Sequence, residues 1–145
     1  MAELYYHNGF HGSYQIGNQT LSIGKDAIMP YDMTYGAIAS CLYATYLGIA
    51  REKDVYVRNA HVSINGRKRT TVPTTLEYLS IHMVVDTDAE EDAVKACMDQ
   101  AILNCSMVQT FARVAEIDYS VEIGEAVEKA ESQDAPACSL DGKGC

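Results

Sequence analysis

The feature that most constrains the fold is a run of eighteen residues without a charged side chain, Met33 to Ala50, with Cys41 near its middle. Its length is about sufficient to span a bilayer, but three tyrosines and several small polar residues make it less apolar than a membrane span requires. Pro30 suits the first turn of a helix, where its missing N–H would have no partner. The run therefore predicts a buried helix of a soluble protein that continues to about Arg51.

Two glycines lie within this predicted helix. Gly36 and Gly48 each cost about 1 kcal/mol relative to alanine in a helix interior, so they predict the close approach of another backbone. A chain of 145 residues has few elements with which to cover an uncharged helix on every side. A second copy of the chain is therefore a candidate for completing the shell around it.

Strands are predicted on both sides of the helix. Residues 12–24 are typical of two short strands joined by a turn, because β-formers flank residues that tolerate positive φ. After the helix, Asn65-Gly66 lies between β-rich runs and predicts a hairpin turn, with the three basic residues that follow at its solvated tip. Residues 75–87 are rich in β-branched and aromatic side chains and predict a third strand of this part.

The remaining elements follow from a capping pattern and an alternating one. Thr87 precedes Glu90 by three positions, which predicts a capping box at the start of a second helix that reaches at least Asn104. Ala115 to Ile123 alternates between apolar and polar residues and predicts a strand with one wet face. The predicted order is β-β-α-β-β-β-α-β, an α+β fold, because strands cluster instead of alternating singly with helices.

Length and composition bound the organisation of the chain. Its 145 residues and 48% apolar content suffice for one core, so we expect a single domain over residues 1–145. The folded part is predicted to span about 12–123. Residues 124–145 are small, polar and acidic, and they are typical of a C-terminal tail.

The charge balance limits the classes of partner. Twenty acidic and 11 basic side chains give a net charge of −9, which repels phosphate groups and argues against nucleic acid and anionic membranes as partners. The first residues contain no basic leader followed by an apolar run, so we expect a cytoplasmic, reducing location. Five cysteines in that setting favour free thiols, catalysis or metal binding over a disulfide framework.

Three of the five cysteines are not assigned to chemistry. Cys97 shares helical spacing with apolar neighbours and is predicted to be core. Cys138 and Cys145 could close a small loop or bind a soft metal, but their spacing is not that of a zinc ligand pair. The four histidines are scattered, so neither a metal site nor a bound cofactor is predicted.

The other two cysteines lie in segments that resemble a known family. Cys41 follows Pro30 by eleven positions in a helix rich in alanine and glycine, and Cys105 lies in Leu103 to Val108, near the end of the second helix and before a strand. These two regions resemble the signatures of the OsmC/Ohr family of thiol-dependent hydroperoxide reductases. The resemblance covers roughly residues 12–123 and implies an OsmC-like fold, with two long central helices and an intertwined homodimer.

The resemblance also implies a chemistry. Cys41 would attack an organic hydroperoxide as a thiolate and become a sulfenic acid, which Cys105 would capture as a disulfide. An external dithiol would then reduce that disulfide, and no bound cofactor is implied. Asp32 matches the acidic residue of the family that orients a cation or the peroxide. The implied role is antioxidant defence, with the apolar surroundings selecting organic peroxides over hydrogen peroxide.

The chain departs from the family pattern in two places. Ser106 stands where the family commonly has a proline, and no arginine occurs before Arg51, whereas peroxidatic members place an arginine from the N-terminal strands over the reactive sulfur. We expect Lys25, Arg51, Arg113 or a residue of another subunit to act as the cation.

Two questions stay open from the sequence. Nine positions of regular helix put Asp32 and Cys41 on opposite faces, some 13–14 Å apart along the axis. Asp32 would therefore act from a non-helical segment or on a neighbouring chain, unless it is only a favourable carboxylate in the first turn. The alternative function is a non-peroxidatic module of the same fold that binds an apolar small molecule, with Cys41 as packing.

Overall fold

The computed structural model describes residues 2–126, which form two three-stranded sheets and three helices in a mixed α+β fold. The elements, in chain order, are β1 (Glu3–His7), β2 (His11–Ile16), β3 (Gln19–Gly24), α1 (Pro30–Glu52), β4 (Asn59–Lys68), β5 (Leu76–Asp86), α2 (Glu91–Asn104), α3 (Ser106–Phe111) and β6 (Glu116–Ile123). Cys138, Cys145 and most of the predicted tail lie outside the described residues.

The first sheet is an antiparallel meander of β1, β2 and β3. The two strands predicted within 12–24 are confirmed as β2 and β3, whereas β1 was not predicted. All five residues of β1 are exposed, so it lacks the alternation by which a half-buried strand is recognised. Leu4, Tyr5, Tyr6 and Phe10 leave this sheet with a largely exposed apolar surface.

Helix α1 is 23 residues long and confirms the prediction made from the uncharged run. Its buried residues, Ile38, Leu42, Tyr46 and Ile49, recur at spacings of three and four and form a single stripe. The helix is therefore not covered on every side by the part of the chain that the structure describes. The glycines at positions 36 and 48 are exposed, and a Cβ on either would meet nothing within 4 Å, so the close approach predicted for them is not made within the described chain.

The second sheet has β5 in the centre, antiparallel to β4 and parallel to β6. Leu79, Ile81, Met83 and Val85 alternate along β5 and are all buried, so one face of the strand belongs to the core. A parallel neighbour requires a crossover, and α2 and α3 supply it. This connection carries Cys105 across the core, back towards α1.

The hairpin turn predicted at Asn65-Gly66 is wrong. Both residues lie inside β4, where Gly66 pairs with Leu79, and the chain reverses instead between β4 and β5. A Cβ on Gly66 would collide with the Tyr35 hydroxyl of α1 and lie 2.8 Å from Leu76 Cδ1. The glycine is therefore needed for packing rather than for a turn.

The order of elements changes accordingly. Three strands precede α1 instead of two, and two strands follow it instead of three, so the predicted β-β-α-β-β-β-α-β becomes β-β-β-α-β-β-α-α-β. The basic residues after Gly66 do not form a hairpin tip either. Arg67 pairs with Glu77 at 2.8 Å and lies over the Tyr78 ring, and Lys68 lies over the Tyr31 ring.

The capping box predicted at the start of the second helix is also wrong. Glu90 is the N-cap of α2, and no side chain accepts a hydrogen bond there. The Thr87 hydroxyl instead donates to the Tyr56 carbonyl at 2.6 Å and accepts the Ala89 N–H at 3.2 Å. Thr87 therefore ties the loop that follows β5 to the segment before β4.

Within residues 2–126, no helix is both long enough and apolar enough to cross a membrane.

We predict that Gly66→Ala lowers the free energy of unfolding by about 1 kcal/mol, the lower end of the cost of overpacking, because the new methyl group must displace the flexible ends of Tyr35 and Leu76. Chemical denaturation measures the change. Tyr35→Phe removes the atom that the new Cβ would meet first, so the double variant should recover part of the loss. Equal stability of Gly66→Ala and the unmodified protein would contradict this account.

Tyr46 generates a second stability prediction. The residue is fully buried, its hydroxyl has no hydrogen-bond partner within the described part of the chain, and burial raises the pKa of the phenol to about 12. Because an unpaired buried hydroxyl is destabilising, Tyr46→Phe should raise the free energy of unfolding by about 1 kcal/mol.

The matched control for Tyr46 is Tyr78→Phe, which removes a hydroxyl that donates to Asp118 at 2.9 Å. That variant should be neutral or slightly destabilised. A clear loss of stability in Tyr46→Phe would show that its hydroxyl has a partner after all.

Candidate active site

The tertiary structure brings two of the predicted residues into direct contact. Cys41, on α1, and Cys105, at the junction of α2 and α3, have sulfur atoms 3.5 Å apart. Cys41 is partly exposed and Cys105 is buried, and both are free thiols. A disulfide requires the two sulfurs to approach to about 2.05 Å, so only a small movement separates the reduced pair from a bond.

A break in the helical path positions Cys105. This residue ends α2 and precedes α3 with an extended backbone (φ −71°, ψ 115°). In an unbroken helix the Ile102 carbonyl would accept the N–H of Ser106. It instead accepts the side-chain amide of Gln109 at 2.9 Å. Gln109 thus satisfies a carbonyl that the break would otherwise leave unpaired, and no proline is needed at the junction.

Two groups of this junction lie within hydrogen-bond range of the Cys41 sulfur: the Cys105 thiol at 3.5 Å and the Ser106 hydroxyl at 3.7 Å. The backbone N–H of Met107 is the largest cause that lowers the pKa of Cys41, and the two side chains act in the same direction. Partial burial acts in the opposite direction but does not prevail. The Cys41 sulfur is therefore poised to ionise more readily than an ordinary thiol.

The second cysteine has the opposite tendency. Burial raises the pKa of Cys105, and its thiol donates to the Cys41 sulfur. Between the two groups the negative charge is accordingly favoured on Cys41, with the proton kept on Cys105. This asymmetry distinguishes a nucleophile from its neighbour within one pair of thiols.

The expected cation is not among the groups that lower the Cys41 pKa in residues 2–126, which are a backbone N–H, a thiol and a hydroxyl. The three cations suggested from the sequence, Lys25, Arg51 and Arg113, are all exposed. Within residues 2–126, hydrogen-bond donors lower the pKa of Cys41, the role that we expected a positively charged side chain to have.

Asp32 is not brought to the cysteine pair within one chain. It belongs to the first turn of α1, where its carboxylate accepts the Met29 N–H at 3.1 Å. Nine residues of regular helix separate it from Cys41 by about 13 Å along the axis. Asp32 therefore caps the helix, and its action on the cysteine of a neighbouring chain stays a prediction.

Cys97 is fully buried in α2, as predicted for a core residue, and burial raises the pKa of its thiol. Across residues 2–126, no group of three or more His, Cys, Asp or Glu side chains is arranged to hold a metal ion.

Sequence reasoning missed the donors around Cys41. The position of Ser106 directly after Cys105 could have indicated a hydroxyl near the cysteine pair, but Ser106 was interpreted only as a replacement for proline. The Met107 N–H had none, because every residue except proline carries one. Gln109 likewise has no signal until the break in the helix is known.

Comparisons with known proteins agree with this architecture. The model of the OsmC-like protein family matches residues 23–132. An OsmC-like protein from Mycoplasma pneumoniae shares 13% identity with a TM-score of 0.78, over 86% of this chain and 96% of the other. A comparison with curated proteins finds no match.

Two further solved structures are described as organic hydroperoxide resistance proteins. OsmC from Legionella pneumophila shares 14% identity at a TM-score of 0.69, covering 84% of this chain and 96% of its own. OhrB from Bacillus subtilis shares 12% identity at a TM-score of 0.63, covering 84% and 98%. At these identities the structural likeness concerns the fold. The family match spans most of the sequence, and the chain belongs to the OsmC-like protein family.

Proposed function

We propose that the chain reduces organic hydroperoxides through Cys41 and Cys105, with an external dithiol as the reductant. The observation that carries the proposal is the 3.5 Å separation of two free sulfurs with opposite pKa shifts. The hydroperoxide resistance of the Legionella and Bacillus proteins, which share the fold, supports the same chemistry.

The first step is oxidation of Cys41. Its thiolate attacks the distal oxygen of the peroxide, an S–O bond forms, and the O–O bond breaks with its electron pair leaving on the alkoxide. The alkoxide takes a proton and departs as the alcohol, and Cys41 becomes a sulfenic acid. Met107 and Phe111 are partly buried apolar side chains of α3, the helix whose first residue contacts the Cys41 sulfur, and they suit an organic peroxide better than strongly hydrated hydrogen peroxide.

The second step closes the disulfide. The Cys105 sulfur attacks the sulfenic sulfur of Cys41, the S–O bond breaks, and the Cys105 proton leaves with the hydroxide as water. An external dithiol then exchanges with the disulfide and restores both thiols. We also propose a cytoplasmic location, whose reducing conditions would sustain this cycle, and a homodimer in which a second copy covers the exposed side of α1.

The alternative function, an apolar-ligand module with Cys41 as packing, is not favoured. A packing residue needs only hydrocarbon around it, whereas the Cys41 sulfur lies within hydrogen-bond range of a hydroxyl and a second thiol.

We predict that one equivalent of cumene hydroperoxide consumes two thiols per chain. Cys41→Ser should abolish the loss. Cys105→Ser should consume one thiol and leave a sulfenic acid that dimedone traps, because no partner can close the disulfide. Free-thiol counting and mass spectrometry measure these outcomes in a background of Cys138→Ser and Cys145→Ser.

Cys97→Ala is the matched control, since that cysteine is buried in the core away from the pair, and the variant should still lose two thiols. If the fully reduced parent protein keeps all its thiols after treatment with cumene hydroperoxide, the proposed function is wrong.

The opposite pKa shifts predict a pH profile. The iodoacetamide alkylation rate of Cys41 should rise with pH to a midpoint below that of an ordinary cysteine, and it should fall as the pH drops through that lowered pKa. Cys105 should reach its midpoint at higher pH. Peptide-resolved mass spectrometry distinguishes the two thiols, and a Cys41 midpoint above that of Cys105 would reverse the proposed roles.

A further inference from the structure

Ser106 differs from the other hydroxyl residues of α1 and α3 for which the structure shows hydrogen bonds. The threonine hydroxyls of these helices each donate to the carbonyl four residues earlier, as Thr45 does to Cys41 at 2.9 Å and Thr110 does to Ser106 at 2.8 Å. The Ser106 hydroxyl is instead within hydrogen-bond range of a sulfur on another helix, 65 residues away in sequence. Its orientation thus links α3 to α1.

The break between α2 and α3 explains this orientation. A serine in a helix commonly donates to the carbonyl four residues back, which for Ser106 is that of Ile102. That carbonyl already accepts the Gln109 side-chain amide at 2.9 Å. A carbonyl oxygen can accept two hydrogen bonds, so its occupancy alone does not release the hydroxyl. The Gln109 amide instead stabilises the break, which takes Ser106 out of the path of α2 and leaves its hydroxyl available to the Cys41 sulfur.

We propose that Ser106 is a further catalytic residue, whose hydroxyl donates a hydrogen bond to the Cys41 thiolate, and that Gln109 is the positioning residue that frees it. The inference deepens, and rests on, the peroxide chemistry proposed above. When both groups are protonated, either could be the donor. Once Cys41 has lost its proton only the hydroxyl can donate, so the bond favours the ionised state that attacks the peroxide.

The exposure of Ser106 sets its role apart from that of Cys105. Cys105 is completely buried behind the Cys41 sulfur, whereas Ser106 lies at the surface. The hydroxyl therefore contacts the sulfur from the exposed side of the junction, whereas the Cys105 thiol contacts it from the core. The Ser106 hydroxyl keeps its own proton throughout the reaction, since an aliphatic hydroxyl does not ionise near neutral pH. Its role therefore adds no reactant to the peroxide chemistry.

The test compares Cys41 alkylation from pH 5 to 10 in the full chain. Ser106→Ala should raise the Cys41 midpoint by about half a unit to one unit, the size expected for losing one hydrogen bond of ordinary net strength at an exposed site. Alkylation at pH 6 should fall about three- to tenfold. Ser106→Gly should show the same shift, which excludes the explanation that alanine simply joined α2 to α3. Ser106→Thr should restore the midpoint.

Two further variants complete the design. Ser40→Ala removes an exposed hydroxyl next to Cys41 in sequence and should leave the midpoint unchanged. Gln109→Met leaves the Ile102 carbonyl without its side-chain donor and weakens the break that orients Ser106, so it should raise the midpoint in the same direction as Ser106→Ala. No shift in Gln109→Met would overturn the positioning role, and no shift in both Ser106→Ala and Ser106→Gly would overturn the catalytic role.

Peroxide turnover separates this inference from the proposed function. If the parent protein reduces cumene hydroperoxide, Ser106→Ala should lower the rate of reduction more at pH 6 than at pH 9. At pH 9, Cys41 is largely a thiolate in both the parent protein and the variant. If the parent protein reduces no peroxide, the proposed function fails, while the alkylation profiles still decide whether the hydroxyl stabilises the thiolate.

Discussion

The structure of this site depends on the break at Cys105. A continuous helix from Glu91 to Phe111 would turn successive side chains by about 100° each and could not direct neighbouring groups at one point. With the extended backbone at Cys105, the thiol of that residue and the next hydroxyl both reach the Cys41 sulfur, and the following N–H contributes to the lowered pKa of Cys41. The break also needs its own support, which the Gln109 side chain supplies at the end of α2.

The convergence of uncharged donors changes how the reactive sulfur is stabilised. A cation would act over several ångströms and weaken with added salt, whereas hydrogen bonds act at contact and are insensitive to screening. Donors held by backbone geometry also need little reorganisation when the charge appears. In the described chain, Cys41 relies on this second arrangement, and Cys105 contributes to it by remaining protonated.

Several apolar side chains of the first sheet and of one side of α1 are left outside the core. Helices α2 and α3 and strand β4 cover one stripe of α1, while the first sheet and its first turn present Tyr5, Tyr6 and Phe10 to solvent. Gly36 and Gly48 are exposed on the part of α1 that the described residues do not cover. These surfaces are consistent with the homodimer that we propose, in which the second copy would lie against them.

The sequence by itself determined the α+β class and the elements β2, β3, α1, β5 and β6, because β-forming residue types, alternation and a proline at a helix start are local signals. It also predicted α2, although through a capping box that the structure does not contain. The choice of Cys41 and Cys105 came from the resemblance of their two segments to the OsmC/Ohr family. Only the tertiary structure decided that Gly66 serves packing rather than a turn, since the reason is Tyr35 on a distant helix. The same holds for the donors around Cys41: they come from residues more than sixty positions away, and a local pattern carries no record of such contacts.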